Sequence, residues 1–393
     1  MRYVTCAATV LLVAVVAVAG DPEVKQAKWP SVDQLPAIAE LPDPFLRPDA
    51  KRVQTKEEWP QQRKELLARL LHYEYGPLPP LAGKVTAQEL SAKDFEPRLA
   101  VEKQYLLKMG PENAVQTHLF LTIPTLEKGP FPVVVTGDLG WGRVKPNIIR
   151  RVVERGYILA EFSRVEIAPD NAEKKGVYAA YPDYQGGRLA AWAWGYHRVV
   201  DFLLTLDIVN KTHVAVTGHS RGGKTALLAG ATDERIALTV PNNSGCGGAG
   251  CYRLQADKSE DIAAITKNFP FWFAPHFADF IGKIDRLPFD QHTVKALVAP
   301  RALLSTEALG DLWANPKGTQ QSYAAAKEVF DFLGAGDRMG IVFREGKHEQ
   351  NADDWNVLLD FADKQFFGKK VERRFDALAF PEAAKGYSWK APK

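Results

Sequence analysis

The chain is poor in cysteine, with three in 393 residues, so a disulfide framework is excluded and stability has to come from a buried core. Cys6 falls in the N-terminal apolar stretch. That leaves Cys246 and Cys251 in the glycine-rich run Gly245-Cys246-Gly247-Gly248-Ala249-Gly250-Cys251, either as a local disulfide or as two buried thiols. No zinc-type Cys/His spacing occurs, and no metal or organic cofactor is expected. Charge of one sign is also missing: 50 Lys and Arg balance 47 Asp and Glu, a net +3. Without a basic run, nucleic acid is not an expected partner. No apolar run is long enough for a membrane span. The longest, Ala7 to Val18, follows Arg2 and ends in Ala17-Val18-Ala19, the pattern of an export signal with an A-x-A cleavage site. Residues 1–19 are therefore expected to be removed, giving a secreted or periplasmic protein that starts near Gly20 or Asp21. Cys6 lies at the start of the apolar run, which argues against lipoprotein-type cleavage. Internal repeats and long linkers are absent too.

What is present is 46% hydrophobic residues, ample for a large core. Residues 20–55 carry Pro30, Pro36, Pro42, Pro44 and Pro48 and read as an extended arm lying over the body. Residues 56–393 are expected to form a single catalytic domain. A helix is expected from Glu57 to His72, stopped by Gly76-Pro77-Leu78-Pro79-Pro80. Strands are expected at Gln104–Lys108, His118–Ile123, Pro132–Gly137, Ile158–Phe162, Val214–Thr217, Ile236–Val240, Arg301–Ser305 and Gly340–Phe343, with a helix over Gly187–Leu206. Strands alternating with helices imply a mostly parallel sheet covered on both faces. The consecutive early strands imply an antiparallel edge. Together these give an α/β three-layer sandwich of the α/β-hydrolase type.

The chemistry is concentrated in Gly218-His219-Ser220-Arg221-Gly222, which follows the apolar Val214-Ala215-Val216-Thr217 and precedes a helical Gly223-Lys224-Thr225-Ala226-Leu227-Leu228. G-x-S-x-G between a strand and a helix is a nucleophile elbow, with Ser220 held over the sheet at a helix N-terminus. Such a serine needs a base and an acid later in the chain, in the order Ser, acid, His. His276, His292 and His348 follow it, and His348 occupies the polar loop after the last strand, where the base belongs. Asp311 and Glu307, both beyond the strand ending near Ser305, compete for the acid. Arg221 offers a backbone N–H and a guanidinium to an oxyanion, and Lys224 lies one helical turn on, facing the same way. The loop Gly137-Asp138-Leu139-Gly140-Trp141-Gly142 stands where a second backbone donor is usual. Arg and Lys beside an esterase serine suit an acyl group rich in oxygen.

These residues resemble the glucuronoyl esterases, carbohydrate esterase family 15. The family pattern G-x-S-R-x-G-K is matched by Gly218, Ser220, Arg221, Gly223 and Lys224. The likeness extends through Asp233–Pro241, Ser244–Ala249, Phe271-Trp272-Phe273, Leu287–His292 and Ala299-Pro300-Arg301, about residues 60 to 365 in all. The resemblance implies a serine esterase acting on esters of 4-O-methyl-glucuronic acid, carried on xylan, with lignin alcohols. Ser220 would be nucleophile, His348 base and Arg221 oxyanion helper, while Lys224, Trp313 and Glu260 would contact the sugar. Two positions depart from the fungal pattern. Asn243 stands in Pro241-Asn242-Asn243-Ser244-Gly245 where that pattern has the acidic residue, which throws the acid to Asp311 or Glu307. His219 replaces a cysteine ahead of the nucleophile and is expected to support the site rather than react. The substrate would be glucuronoxylan or a lignin–carbohydrate ester, and the protein a monomer. Two rivals stand beside this reading: another secreted carbohydrate esterase cleaving acetyl or feruloyl esters of xylan, and a non-catalytic glycan-binding relative.

Overall fold

The computed structural model describes residues 29–81 and 83–392. The expected signal peptide, 1–19, and the start of the arm lie outside the described residues. Nine strands form one sheet: β1 (Thr86–Glu96), β2 (Ala100–Met109), β3 (Val115–Pro124), β4 (Phe131–Thr136), β5 (Ile158–Phe162), β6 (Val209–His219), β7 (Leu238–Asn242), β8 (Ala302–Ala308) and β9 (Met339–Arg344). Their spatial order is β1-β2-β3-β5-β4-β6-β7-β8-β9. The first three strands are antiparallel, as is the β3–β5 join; from β5 to β9 every pairing is parallel. This is the expected α/β-hydrolase architecture, with its antiparallel edge on the N-terminal side.

The period of two along β4 builds the two layers. Val133 and Val135 face one cluster with Val216, Leu303, Val199, Leu227 and Val329, whereas Val134 faces the other with Leu159, Ala215, Ile148, Val152 and Leu358. Helices Arg188–Leu203, Arg221–Thr232 and Pro316–Phe332 therefore cover one face, and Pro146–Glu154 and Ala352–Phe367 the other. Strands β4, β5 and β7 are buried along their whole length, as expected of parallel strands covered on both faces.

β1 was not among the expected strands. Its sequence, Thr-Ala-Gln-Glu-Leu-Ser-Ala-Lys-Asp-Phe-Glu, is exposed almost throughout, so no apolar alternation marks it. Pairing with β2 recruits it, and its charges suit an edge that must not attract another chain. The expected 236–240 strand lies two residues later, at 238–242, because its pairing with β6 runs on through Pro241 to Asn242 opposite His219. The first helix spans Trp59–Leu70 and continues into a wider turn over Leu71–Tyr75, ending at Gly76 with φ 75°.

The arm and the C-terminal tail interlace over helix Pro316–Phe332, where Leu41 packs with Ala325 and Tyr387 Oη–H donates to Ala324 O. Leu41 N–H donates to Gly386 O (2.8 Å), Trp389 Nε1 to Leu41 O (2.6 Å), and Ile38 N–H to Asp285 O (2.6 Å). Cys246 and Cys251 are two separate buried thiols. Among the described residues no helix is long and apolar enough to cross a membrane.

Candidate active site

β6 runs straight into the turn at Ser220, whose backbone sits at φ 56°, ψ −120° before helix Arg221–Thr232 begins. A non-glycine residue in that region is strained by about 1–3 kcal/mol and is held only by its surroundings. Two glycines make the turn possible. A Cβ on Gly218 would lie 2.4 Å from Gly222 O, and one on Gly222 would lie 2.2 Å from Asp138 Oδ1. Ser220 N–H is anchored on Asn242 O at 3.0 Å. Arg221, as the first helical residue, has no intrahelical acceptor for its N–H, which leaves a donor beside the serine.

The C-terminal ends of three parallel strands deliver the remaining groups. His348, in the loop after β9, brings Nε2 to 2.9 Å from Ser220 Oγ, and its Nδ1 meets Asp311 Oδ2 at 2.6 Å. Asp311 follows β8 and is 5% exposed. The two expected acids are thereby separated. Glu307 lies inside β8, fully buried, with neither carboxylate oxygen hydrogen-bonded; burial pushes its pKa well up, offset in part by Lys295. It is not brought to His348. Asn243 occupies the space beside the triad with a structural hydrogen bond, its Oδ1 accepting from Ala308 N–H at 2.9 Å.

Of the other expected residues, Arg221, Lys224, Glu260 and Trp313 line one cavity of about 160 Å³ together with Ser220 and His348. Lys224 is 5% exposed and held by Ser244 O (2.6 Å) and Cys246 O (2.5 Å), with Glu260 Oε2 at 3.7 Å. Burial raises the Glu260 pKa, against the pull of Lys224. Trp313 is 49% exposed, so it forms part of the rim rather than of the core.

Three groups at the site were not expected. Asp170 binds Arg221 Nη1 through one oxygen and accepts Trp272 Nε1–H at 2.8 Å through the other. Trp272 and Phe269 stack at 3.8 Å and take the Arg221 guanidinium over their faces, at 4.9 and 5.1 Å. Asp170 lies in a loop with no motif, so nothing in its neighbours marks it. Trp272 belongs to the quoted Phe271-Trp272-Phe273, although that motif alone assigns it no role. In the loop after β4, expected to hold a second backbone donor, three N–H groups are engaged within the fold. Gly137 N–H is spent on Tyr196 Oη (2.8 Å), and Trp141 and Gly142 N–H groups close the turn on Asp138 O and Leu139 O.

On the other side of Ser220 a second cavity, about 390 Å³, opens between the loop after β4 and the His348 loop, lined among others by Trp141, Arg143, His219 and Trp355. His219 packs against His348 with ring centroids 4.5 Å apart. Burial lowers its pKa to about 4. Among the described residues no group of three or more His, Cys, Asp and Glu side chains is placed to hold a metal ion.

A serine, a histidine and a carboxylate in hydrogen-bonded sequence, with a cationic helix start and two flanking cavities, can carry out acyl transfer. Comparison with known proteins agrees. A family model described as "Glucuronyl esterase, fungi" matches residues 110–334. Carbohydrate esterase MZ0003, from an unknown prokaryotic organism, is 30% identical over 93% of this chain and 99% of its own. The 4-O-methyl-glucuronoyl methylesterase 1 of Wolfiporia cocos is 32% identical over 78% of this chain and 75% of its own. Among solved structures, the carbohydrate esterase family 15 glucuronoyl esterase of Caldicellulosiruptor kristjansonii superposes with a TM-score of 0.79 at 30% identity, covering 92% of this chain and 99% of that one. A mutant glucuronoyl esterase of Sporotrichum thermophile, in complex with methyl 4-O-methyl-β-D-glucopyranuronate, gives 0.71 at 26% identity, covering 86% and 90%. With a nucleophile elbow in place and a family model spanning more than half its length, the chain belongs to the glucuronoyl esterases of carbohydrate esterase family 15.

Proposed function

We propose that the protein hydrolyses esters of glucuronic acid and its 4-O-methyl ether, of the kind that join glucuronoxylan to an alcohol. The observation that carries this reading is the cavity in which Ser220 and His348 stand with Lys224, Glu260 and Trp313. Lys224 and Glu260 present a buried donor and acceptor to a polyhydroxyl acyl group, and Trp313 offers a flat face to a sugar ring. The uronate carboxyl is esterified in the substrate, so Lys224 meets hydroxyl groups rather than a full charge.

In the first step Ser220 Oγ attacks the C6 carbonyl while His348 Nε2 takes its proton. Asp311 holds the proton on Nδ1 and stabilises the imidazolium that forms. The oxyanion develops beside the Arg221 backbone N–H and guanidinium, whose orientation Asp170 fixes. His348 then returns the proton to the alcohol oxygen, the C6–O bond breaks, and a glucuronoyl-Ser220 ester remains. Water, deprotonated by His348, releases the acid and restores Ser220.

The test is hydrolysis of benzyl glucuronate beside p-nitrophenyl acetate, wild type against Ser220→Ala. Strong Ser220-dependent cleavage of the glucuronate, with little of the acetate, is expected. Cleavage of acetate alone would remove the uronate reading and favour an acetylxylan-type esterase; glycan binding without any hydrolysis would point to a binding protein. Export is part of the same proposal, and N-terminal sequencing of the mature chain should begin near Gly20 or Asp21.

A further inference from the structure

The cavity on the far side of Ser220 from Lys224 contains a hydrogen-bond acceptor that the reaction as written does not use. Asn242 Nδ2 donates to Thr306 Oγ1 at 2.9 Å, which turns its Oδ1 toward His219 Nδ1 at 2.7 Å. An amide oxygen only accepts, so His219 carries its proton on Nδ1 and its Nε2 holds a bare lone pair. Nε2 has no hydrogen-bond partner among the described residues, and it is not among the buried polar atoms left without one; it opens on the cavity that His219 lines. Burial, with His348 adding to it, keeps the ring neutral at ordinary pH. Of the charged groups lining this cavity, Arg143 pairs with Glu102 and Glu161, Arg164 with Asp138, which also takes His219 N–H, and Arg221 with Asp170, while Lys145 has no ion-pair partner among the described residues.

Position gives this lone pair its meaning. The His219 ring stands 4.5 Å from that of His348, the base that returns a proton to the departing alcohol. If the uronate lies on the Lys224 side, as the proposed function holds and as this inference requires, the alcohol leaves through the His219 side. We propose that His219 Nε2 accepts a hydrogen bond from a second hydroxyl of the leaving alcohol, so that the enzyme selects esters of diols, with the free hydroxyl two or three carbons from the ester oxygen, over esters of simple alcohols or ethers. His219 is then a specificity residue for the alcohol, placed by Asn242 and Thr306.

The experiment compares two glucuronate esters, the 3-hydroxy-3-phenylpropyl ester and its 3-methoxy counterpart, in which a methyl group replaces the donor hydrogen on the 3-oxygen. Wild type is expected to favour the hydroxy ester by roughly 5–10-fold in kcat/KM, the effect of one neutral hydrogen bond. In His219→Phe, which fills similar space without an acceptor, the ratio should fall to about one whatever happens to the absolute rate. A second measurement needs no variant. Added 1,3-diol should intercept the glucuronoyl-enzyme more efficiently than its monomethyl ether: one hydroxyl attacks C6 and gives its proton to His348, which passes it to Ser220 Oγ as the C6–Oγ bond breaks, while the second hydroxyl, absent from the ether, donates to His219 Nε2. Equal wild-type rates on the two esters, equal interception, or a preference that survives in His219→Phe would each overturn the proposal while leaving the esterase reading intact. Cleavage of neither ester would instead strike at the proposed function.

Discussion

The chemistry rests on side chains whose neighbours, more than their type, decide what they do. Asp311 and Glu307 are four residues apart, both acidic and both nearly inaccessible, yet only Asp311 reaches His348. Asp311→Asn removes the group that holds the imidazole tautomer, and kcat on benzyl glucuronate should fall on the order of 10³–10⁴-fold. Glu307→Gln should stay within about threefold of wild type; the reverse pattern would hand the acid role to Glu307. Asp170 allows a finer test. It ties Arg221 to Trp272, so Asp170→Asn keeps an acceptor for the indole N–H but releases the guanidinium. A kcat about tenfold lower, with KM and Tm nearly unchanged, is expected, and Asp170→Glu should recover part of it. A fall in Tm matching the fall in activity would make Asp170 a purely structural residue. Sequence alone narrowed the acid to two candidates and left Asp170 unseen, because which carboxylate faces which base is set by strand register and loop path rather than by local composition.

At the scale of elements, legibility followed burial. The largely buried strands β4, β5, β7, β8 and β9 were readable to within a few residues, whereas β6 was read only from Val214 because its start, Val209–His213, is mostly solvated and carries no apolar run; the elbow was readable too, and its glycines answer to contacts of 2.2 and 2.4 Å. β1 and the wide turn Leu71–Tyr75 were not, since the first is solvated and the second is fixed by distant partners. That turn carries Glu74, fully buried, accepting from Tyr252 Oη–H at 2.5 Å and Gln291 Nε2 at 2.8 Å, while Tyr75 Oη–H donates to Gly247 O at 2.9 Å. The turn thus clamps the glycine-rich loop whose Cys246 carbonyl holds Lys224. Burial raises the Glu74 pKa from 4.5 to about 8. Between those values the folded protein keeps a proton that the unfolded chain has released, so stability falls as pH climbs from about 4.5 and the full cost is reached above about 8. Glu74→Gln stays neutral throughout. Its Tm relative to wild type should therefore be higher at pH 9 than at pH 5; a difference independent of pH would show that Glu74 ionises normally in the fold.

Over the whole molecule, the same residue type serves either the fold or the rim of the site, and sequence does not distinguish the two. The chain has nine tryptophans. The sugar-contacting role for Trp313 comes from the family resemblance, and the reading of the arm as lying over the body does not foretell that the C-terminal tail locks it there. Trp389 stacks on Tyr387 at 4.4 Å, meets Phe45 and His292, and donates to Leu41 O. It joins the C-terminal tail to the arm, over helix Pro316–Phe332. Trp313, half exposed beside Ser220, stacks on no aromatic ring among the described residues, and its indole faces Glu260 at the site instead. Trp389→Ala gives up a partly buried indole and one hydrogen bond. A loss of about 2 kcal/mol is expected, seen as a Tm lower by several degrees, with kcat and KM at 25 °C unchanged because the tail lies away from Ser220. Trp313→Ala should do the opposite: Tm within about a degree of wild type, and KM for benzyl glucuronate raised roughly tenfold, the loss of one aromatic sugar contact. Measured side by side, the two variants separate stability from recognition. If Trp313→Ala lowers Tm as much as Trp389→Ala and leaves KM alone, the indole beside the nucleophile is packing, and the sugar side of the cavity has to be sought among Trp272 and Phe269 instead.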